Sequence, residues 1–113
     1  MLPIGPKSLF VDGPGFGPAP VQAALGMRRR FGGIKTMPRG WSLLLRARSV
    51  HGFGLRLPVN VARLDETGLV LEVRLLQRRR MLWWRRPQLL LEVAPGLSPP
   101  AQGARLIVRR KVT

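Results

Sequence analysis

Apolar and polar residues alternate along much of the second half of this chain. In LVLEVRLL, residues 69–76, Leu69, Leu71, Val73 and Leu75 fall on one side of an extended strand. Val70, Glu72, Arg74 and Leu76 fall on the other, so the pattern predicts a strand buried on one side and partly wet on the other. WSLLLRA (41–47), SVHGFGLR (49–56), VNVARL (59–64), QLLLEV (88–93) and ARLIVR (104–109) are similar short apolar runs, separated by glycine, proline or acidic turns. DETG, residues 65–68, reads as a hairpin turn with Gly68 free to take a positive φ. Together these runs predict a mainly-β domain of about six short strands.

The first third of the chain reads differently. In VQAALGMRRRF, residues 21–31, Val21, Ala24, Leu25 and Arg28 follow helical spacing, and Pro20 suits a first turn. Arginines near the C-terminal end favour the helix dipole, and Gly32-Gly33 stops the run. One short N-terminal helix is expected there. Residues 1–20 hold five of the eleven prolines and four of the thirteen glycines, which support neither a continuous helix nor a ladder. They read as an irregular arm, with Leu9, Phe10 and Val11 pairing weakly at a sheet edge. Residues 21–113 then form a single mainly-β domain.

Composition narrows the chemistry. With no cysteine, disulfides, thiolate catalysis and cysteine-ligated metals are excluded. No apolar run approaches the roughly 18 residues of a membrane-spanning helix, and no signal-peptide pattern opens the chain. A soluble, cytoplasmic protein without a transmembrane segment is expected. Charge is the outlier: twenty Lys+Arg against five Asp+Glu leave +15. Such a surplus attracts polyanions, nucleic acid above all, or anionic lipid; otherwise it is only a solvated arginine-rich surface.

The surplus peaks in QRRRMLWWRRP, residues 77–87, where Arg78, Arg79, Arg80, Arg85 and Arg86 surround Trp83 and Trp84. Guanidiniums neutralise phosphates, and exposed indoles stack on unpaired bases. An extended chain puts Met81 and Trp83 on one face and Leu82 and Trp84 on the other, so one indole can cap the core while its neighbour stays wet. Arg28, Arg29 and Arg30 are further candidates for the same polyanion surface.

Ser49-Val50-His51, Phe53-Gly54-Leu55-Arg56, Pro58-Val59-Asn60-Val61, Leu64-Asp65-Glu66-Thr67-Gly68 and Leu91-Glu92-Val93-Ala94-Pro95-Gly96 occur in that order. This stretch, residues 43–96, resembles the domain-of-unknown-function 192 family of bacteria and archaea, as a divergent short member. The resemblance implies a β-sandwich or barrel-like fold with a short helix near its start, and it brings no particular activity. Family members usually carry an aspartate where this chain has Asn60, and Gly-Asp where it has Gly103-Ala104, so no role of those carboxylates is carried over.

Catalytic groups are not assigned. Ser49 and His51 share a strand face, but their Cα atoms stand about 6.5–7 Å apart, too far for a ready hydroxyl–imidazole bond. One histidine and scattered carboxylates make no metal cage, and no cofactor motif is present. GPGFGPAP, residues 13–20, lacks the Gly-Lys-[Ser/Thr] ending of a phosphate loop. Three functions therefore stand: a non-catalytic basic domain binding nucleic acid without sequence preference; a domain taking a small ligand or protein partner in a groove near His51, Arg56 and Asn60; and a hydrolase-like enzyme, if Ser49, His51 and a carboxylate converge.

Overall fold

The structure, a computed structural model, describes residues 9–24 and 37–110. Seven strands form one sheet: β1 (Leu9–Gly13), β2 (Phe16–Ala24), β3 (Ser42–His51), β4 (Val59–Leu64), β5 (Val70–Leu76), β6 (Met81–Glu92) and β7 (Ile107–Arg110). Their order is β5-β4-β6-β3-β2-β1-β7. Every pairing is antiparallel except that of β2 with β3. Among the described residues no helix is long and apolar enough to cross a membrane.

The two ends of this order meet. Val70 N–H donates to the Ala104 carbonyl, Gly103 N–H to that of Val70 and Leu106 N–H to that of Gly68, each at 2.8 Å. These bonds tie the segment entering β7 to the start of β5, so the sheet curls around an interior. Val11, Phe16, Ala19, Val21, Leu44, Ala62, Leu64, Val70, Leu91, Val93 and Leu106 fill it. Gly68 makes the closure possible: its φ is +89°, and a Cβ there would lie 2.2 Å from the Leu106 carbonyl oxygen.

A second apolar cluster covers the opposite face of β3, β4 and β6, with Leu43, Leu45, Val50, Val59, Val61, Leu76, Trp84 and Leu90 under the Leu55 loop. Strands buried on both faces need continuous apolar runs rather than alternation, as in SLLL of β3 and LLL of β6. Each fully buried leucine, such as Leu45 or Leu90, contributes about 1.5–3 kcal/mol.

Four expectations are corrected. Val21–Ala24 belong to β2, not to a helix, and the rest of the expected helix lies outside the described residues. Val21 packs in the interior and Ala24 in the second cluster. Opposite faces for positions three apart are what a strand gives, whereas a helix would put both on one stripe. Of the expected arm, residues 1–8 lie outside the described residues, while residues 9–20 are not irregular but most of a β-hairpin, and β1 is flanked by β2 and β7 rather than left at an edge. Pro14 serves its turn, and Pro20 stands opposite Phe10. Seven strands replace six because this hairpin adds two while SVHGFGLR supplies none of its own: β3 runs to His51 and the chain leaves the sheet at Gly52. Finally, Leu64 pairs with Val70 but Arg63 with Glu72, and this bulge breaks the alternation of LVLEVRLL. Val70 and Val73 thereby pack in one cluster and Leu76 in the other, while Leu75 is half exposed.

Candidate nucleic-acid interface

Beyond the core of the sheet, β3 and β6 continue, among the described residues, as a two-stranded ribbon. β2 accompanies β3 only along Ser42–Leu45, and β4 accompanies β6 only along Leu89–Glu92. At the ribbon's outer end His51 pairs with Met81, Val50 with Leu82 and Ser49 with Trp83. Pairing resumes at Ala47 and Gln88, which leaves Trp84, Arg85, Arg86 and Pro87 opposite Arg48 alone. Pro87 has no N–H for the ladder, which suits such a bulge.

Cross-strand partners share a face, so Met81, Trp83, Ser49 and His51 look the same way. Phe53 joins them: its ring lies 5.6 Å from the His51 imidazole, tilted by 49°. Met81, Trp83 and Phe53 are each more than half exposed. Leu82 and Trp84 turn inward onto the second cluster, and Trp84 keeps only 8% of its surface.

The turn from β5 to β6 brings the arginines to this end. Arg80 N–H donates to Gln77 O, and Arg79 takes a φ of 61°, in the left-handed region. Gly52 clamps the turn, donating to Arg80 O at 2.8 Å and accepting from Arg79 N–H at 3.2 Å. A Cβ on Gly52 would lie 2.1 Å from Gln77 O, so the close approach needs glycine. Arg78 Nε donates to Leu55 O. Arg48, Arg79, Arg80, Arg85 and Arg86 are exposed, and none forms an ion pair among the described residues.

Four of the five acids are engaged elsewhere. Glu66 pairs with Arg46, Asp12 with Arg109, and Glu72 with Arg63 at 2.5 Å and Arg74 at 3.8 Å. Glu72 also accepts from Trp84 Nε1 at 3.3 Å, and Arg74 lies 5.4 Å from the Trp84 ring centre. Burial pushes the Glu72 carboxyl up, but the hydrogen bonds from Arg63 and Trp84 and the charges of Arg63 and Arg74 outweigh it, leaving the pKa below the usual value. Asp65 caps its own turn by accepting from the Thr67 hydroxyl, Leu69 N–H and Thr67 N–H, which lowers its pKa too.

The structure thus gathers Arg78, Arg79, Arg80, Trp83, Arg85 and Arg86, and turns Trp84 into the core. Arg28, Arg29 and Arg30 lie outside the described residues. Arg109 and Arg110 are on β7, which pairs with β1 and with no strand of the ribbon. Sequence reasoning set Met81 beside Trp83 but missed Phe53 and Arg48, whose place depends on the β3–β6 register. Of the groove candidates, Arg56 lines a concavity with Arg39, Trp41 and Leu57, whereas His51 and Asn60 do not. His51 is exposed and its Nδ1 accepts from Phe53 N–H, while Asn60 is half-buried in β4. No hydrogen bond joins His51 to Ser49 or to a carboxylate, and no group of three potential metal ligands occurs among the described residues. No family model, curated protein or solved structure matches the chain.

Proposed function

We propose that the β3–β6 ribbon binds single-stranded nucleic acid without sequence preference. The observation that carries this reading is Trp83, 56% exposed and flanked by Arg79, Arg80, Arg85 and Arg86, none of which has a carboxylate partner among the described residues. Guanidiniums follow the phosphates while the indole, on the same ribbon face as Met81 and His51, receives an unpaired base. A duplex keeps its bases stacked inside and leaves the indole unused. A cytoplasmic location suits such a partner. We also read residues 43–96 as a divergent short form of the domain-of-unknown-function 192 fold, its sheet curled in a barrel-like manner. That reading adds no activity, so the weight rests on the ribbon.

The test is a titration of a labelled twelve-nucleotide thymidine strand against the wild type and a variant with Arg79, Arg80, Arg85 and Arg86 all changed to glutamate. Binding by the wild type and its loss in a folded variant support the reading. Equal affinity of both proteins contradicts it. Tighter binding to vesicles of anionic phospholipid than to the strand would assign the ribbon to a membrane surface instead.

A further inference from the structure

Three chain segments pinned by turns enclose a second, quite different surface. Trp41 N–H donates to Pro38 O at 3.1 Å, Leu55 N–H to Gly52 O at 3.2 Å and Leu97 N–H to Ala94 O at 3.1 Å. Residues 37–41, 54–57 and 95–96 from these segments line a groove of about 910 Å³, within the usual size range of small-molecule sites. Most of the lining is apolar. Trp41 and Leu55 are buried and form its base, Met37 is half-buried, and Leu57 stands 59% exposed at its lip.

The polar lining is cationic. Arg39 and Arg56 both contribute, no carboxylate does, and neither guanidinium makes a hydrogen bond or ion pair with the described residues. A free guanidinium recognises planar oxyanions through paired N–H donors, and apolar walls reward an apolar body. A cationic occupant would be repelled. A nucleic-acid strand would leave its sugar and base edges unpaired against Trp41 and Leu57.

We propose that this groove binds a small amphipathic carboxylate, its head on Arg39 and Arg56 and its apolar body on Trp41, Leu55 and Leu57. The site is separate from the ribbon and does not rest on the nucleic-acid reading. It is distinguishable from that reading by which indole responds.

The probe is dodecanoate below its micelle concentration, with dodecyltrimethylammonium as the control of equal chain length. The readout is the three indole N–H resonances in a ¹⁵N-correlated spectrum of the full chain. Dodecanoate is expected to move the Trp41 resonance saturably and leave that of Trp83 in place, while the ammonium compound moves neither. A variant carrying Arg39→Gln and Arg56→Gln should bind dodecanoate at least about tenfold more weakly with an unchanged unfolding midpoint, since two charge-assisted contacts are lost. Equal binding of both head groups would overturn the proposal, as would a shift at Trp83 alone or undiminished binding by the variant. The head-group comparison uses the wild-type chain, so it decides even if the variant does not fold.

Discussion

Trp83 and Trp84, adjacent in β6, point to opposite faces of the ribbon, one 56% exposed and the other 8%. The two indoles therefore have separable roles. Trp83→Ala should change stability by no more than about 0.5 kcal/mol, yet remove the 1–3 kcal/mol or so of stacking on an unpaired base. Trp84→Ala should cost about 3–5 kcal/mol of stability, because it opens a cavity beside Leu82 and Leu90 and removes a donor from Glu72. Denaturant unfolding and strand titration of both variants check the division. A Trp83→Ala protein that binds like the wild type refutes it.

Arg79 holds a φ of 61°, where an L side chain costs about 1–2 kcal/mol and glycine costs little. Arg79→Gly is accordingly expected to raise the unfolding midpoint while weakening strand binding, since one phosphate contact goes with it. The two changes have opposite signs, which a general loss of structure cannot produce. Thermal unfolding and binding measured on one preparation decide the matter.

Acid should loosen the fold through Glu72. Its carboxyl titrates below the ordinary value of 4.5, since the Arg63 and Trp84 hydrogen bonds outweigh the opposing effect of burial. A carboxylate depressed in this way stabilises the folded state above the unfolded-chain pKa, and the contribution disappears as pH falls through the folded value. Asp65 adds a loss of the same sign, starting below its ordinary 3.8. Glu72→Gln should therefore be less stable than wild type at neutral pH, and the gap should narrow as pH drops below about 4.5. A gap that stays constant down to about pH 3 would show that the charge of Glu72 contributes nothing.

Closure of the sheet depends on Gly68. Its positive φ and its contact with the Leu106 carbonyl leave no space for a methyl group. Gly68→Ala is expected to destabilise the protein by roughly 2–4 kcal/mol. Hydrogen exchange at Val70, Gly103 and Leu106 should speed up more than at Leu45 or Leu90, because the closing bonds open first.

The parts of this fold legible in the sequence are those that local period decides. VNVARL is β4 residue for residue, DETG forms the turn capped by Asp65, and the opposed indoles follow from alternation in an extended chain. The first hairpin was hidden because Val21 and Ala24 are buried on opposite faces of a sheet, and spacing alone does not separate that from one helical stripe. From its neighbours alone Gly52 reads as part of a strand, since its apposition to Gln77 is a contact between distant segments. For the same reason the meeting of Phe53, His51, Met81 and Trp83 could not be read from residues 77–87 alone; it needs the register of β3 against β6.

The salt dependence of strand binding tests the central claim most directly, because it counts the phosphates that the ribbon neutralises. If Arg48, Arg79, Arg80, Arg85 and Arg86 each meet one, the logarithm of the association constant should fall against the logarithm of salt concentration with a slope near −3.5 for a single strand. Replacing Arg79 and Arg80 by glutamine should bring that slope to about −2. Binding that is absent at low salt, or a slope that those two changes leave unaltered, would contradict the assignment of the ribbon as a nucleic-acid surface.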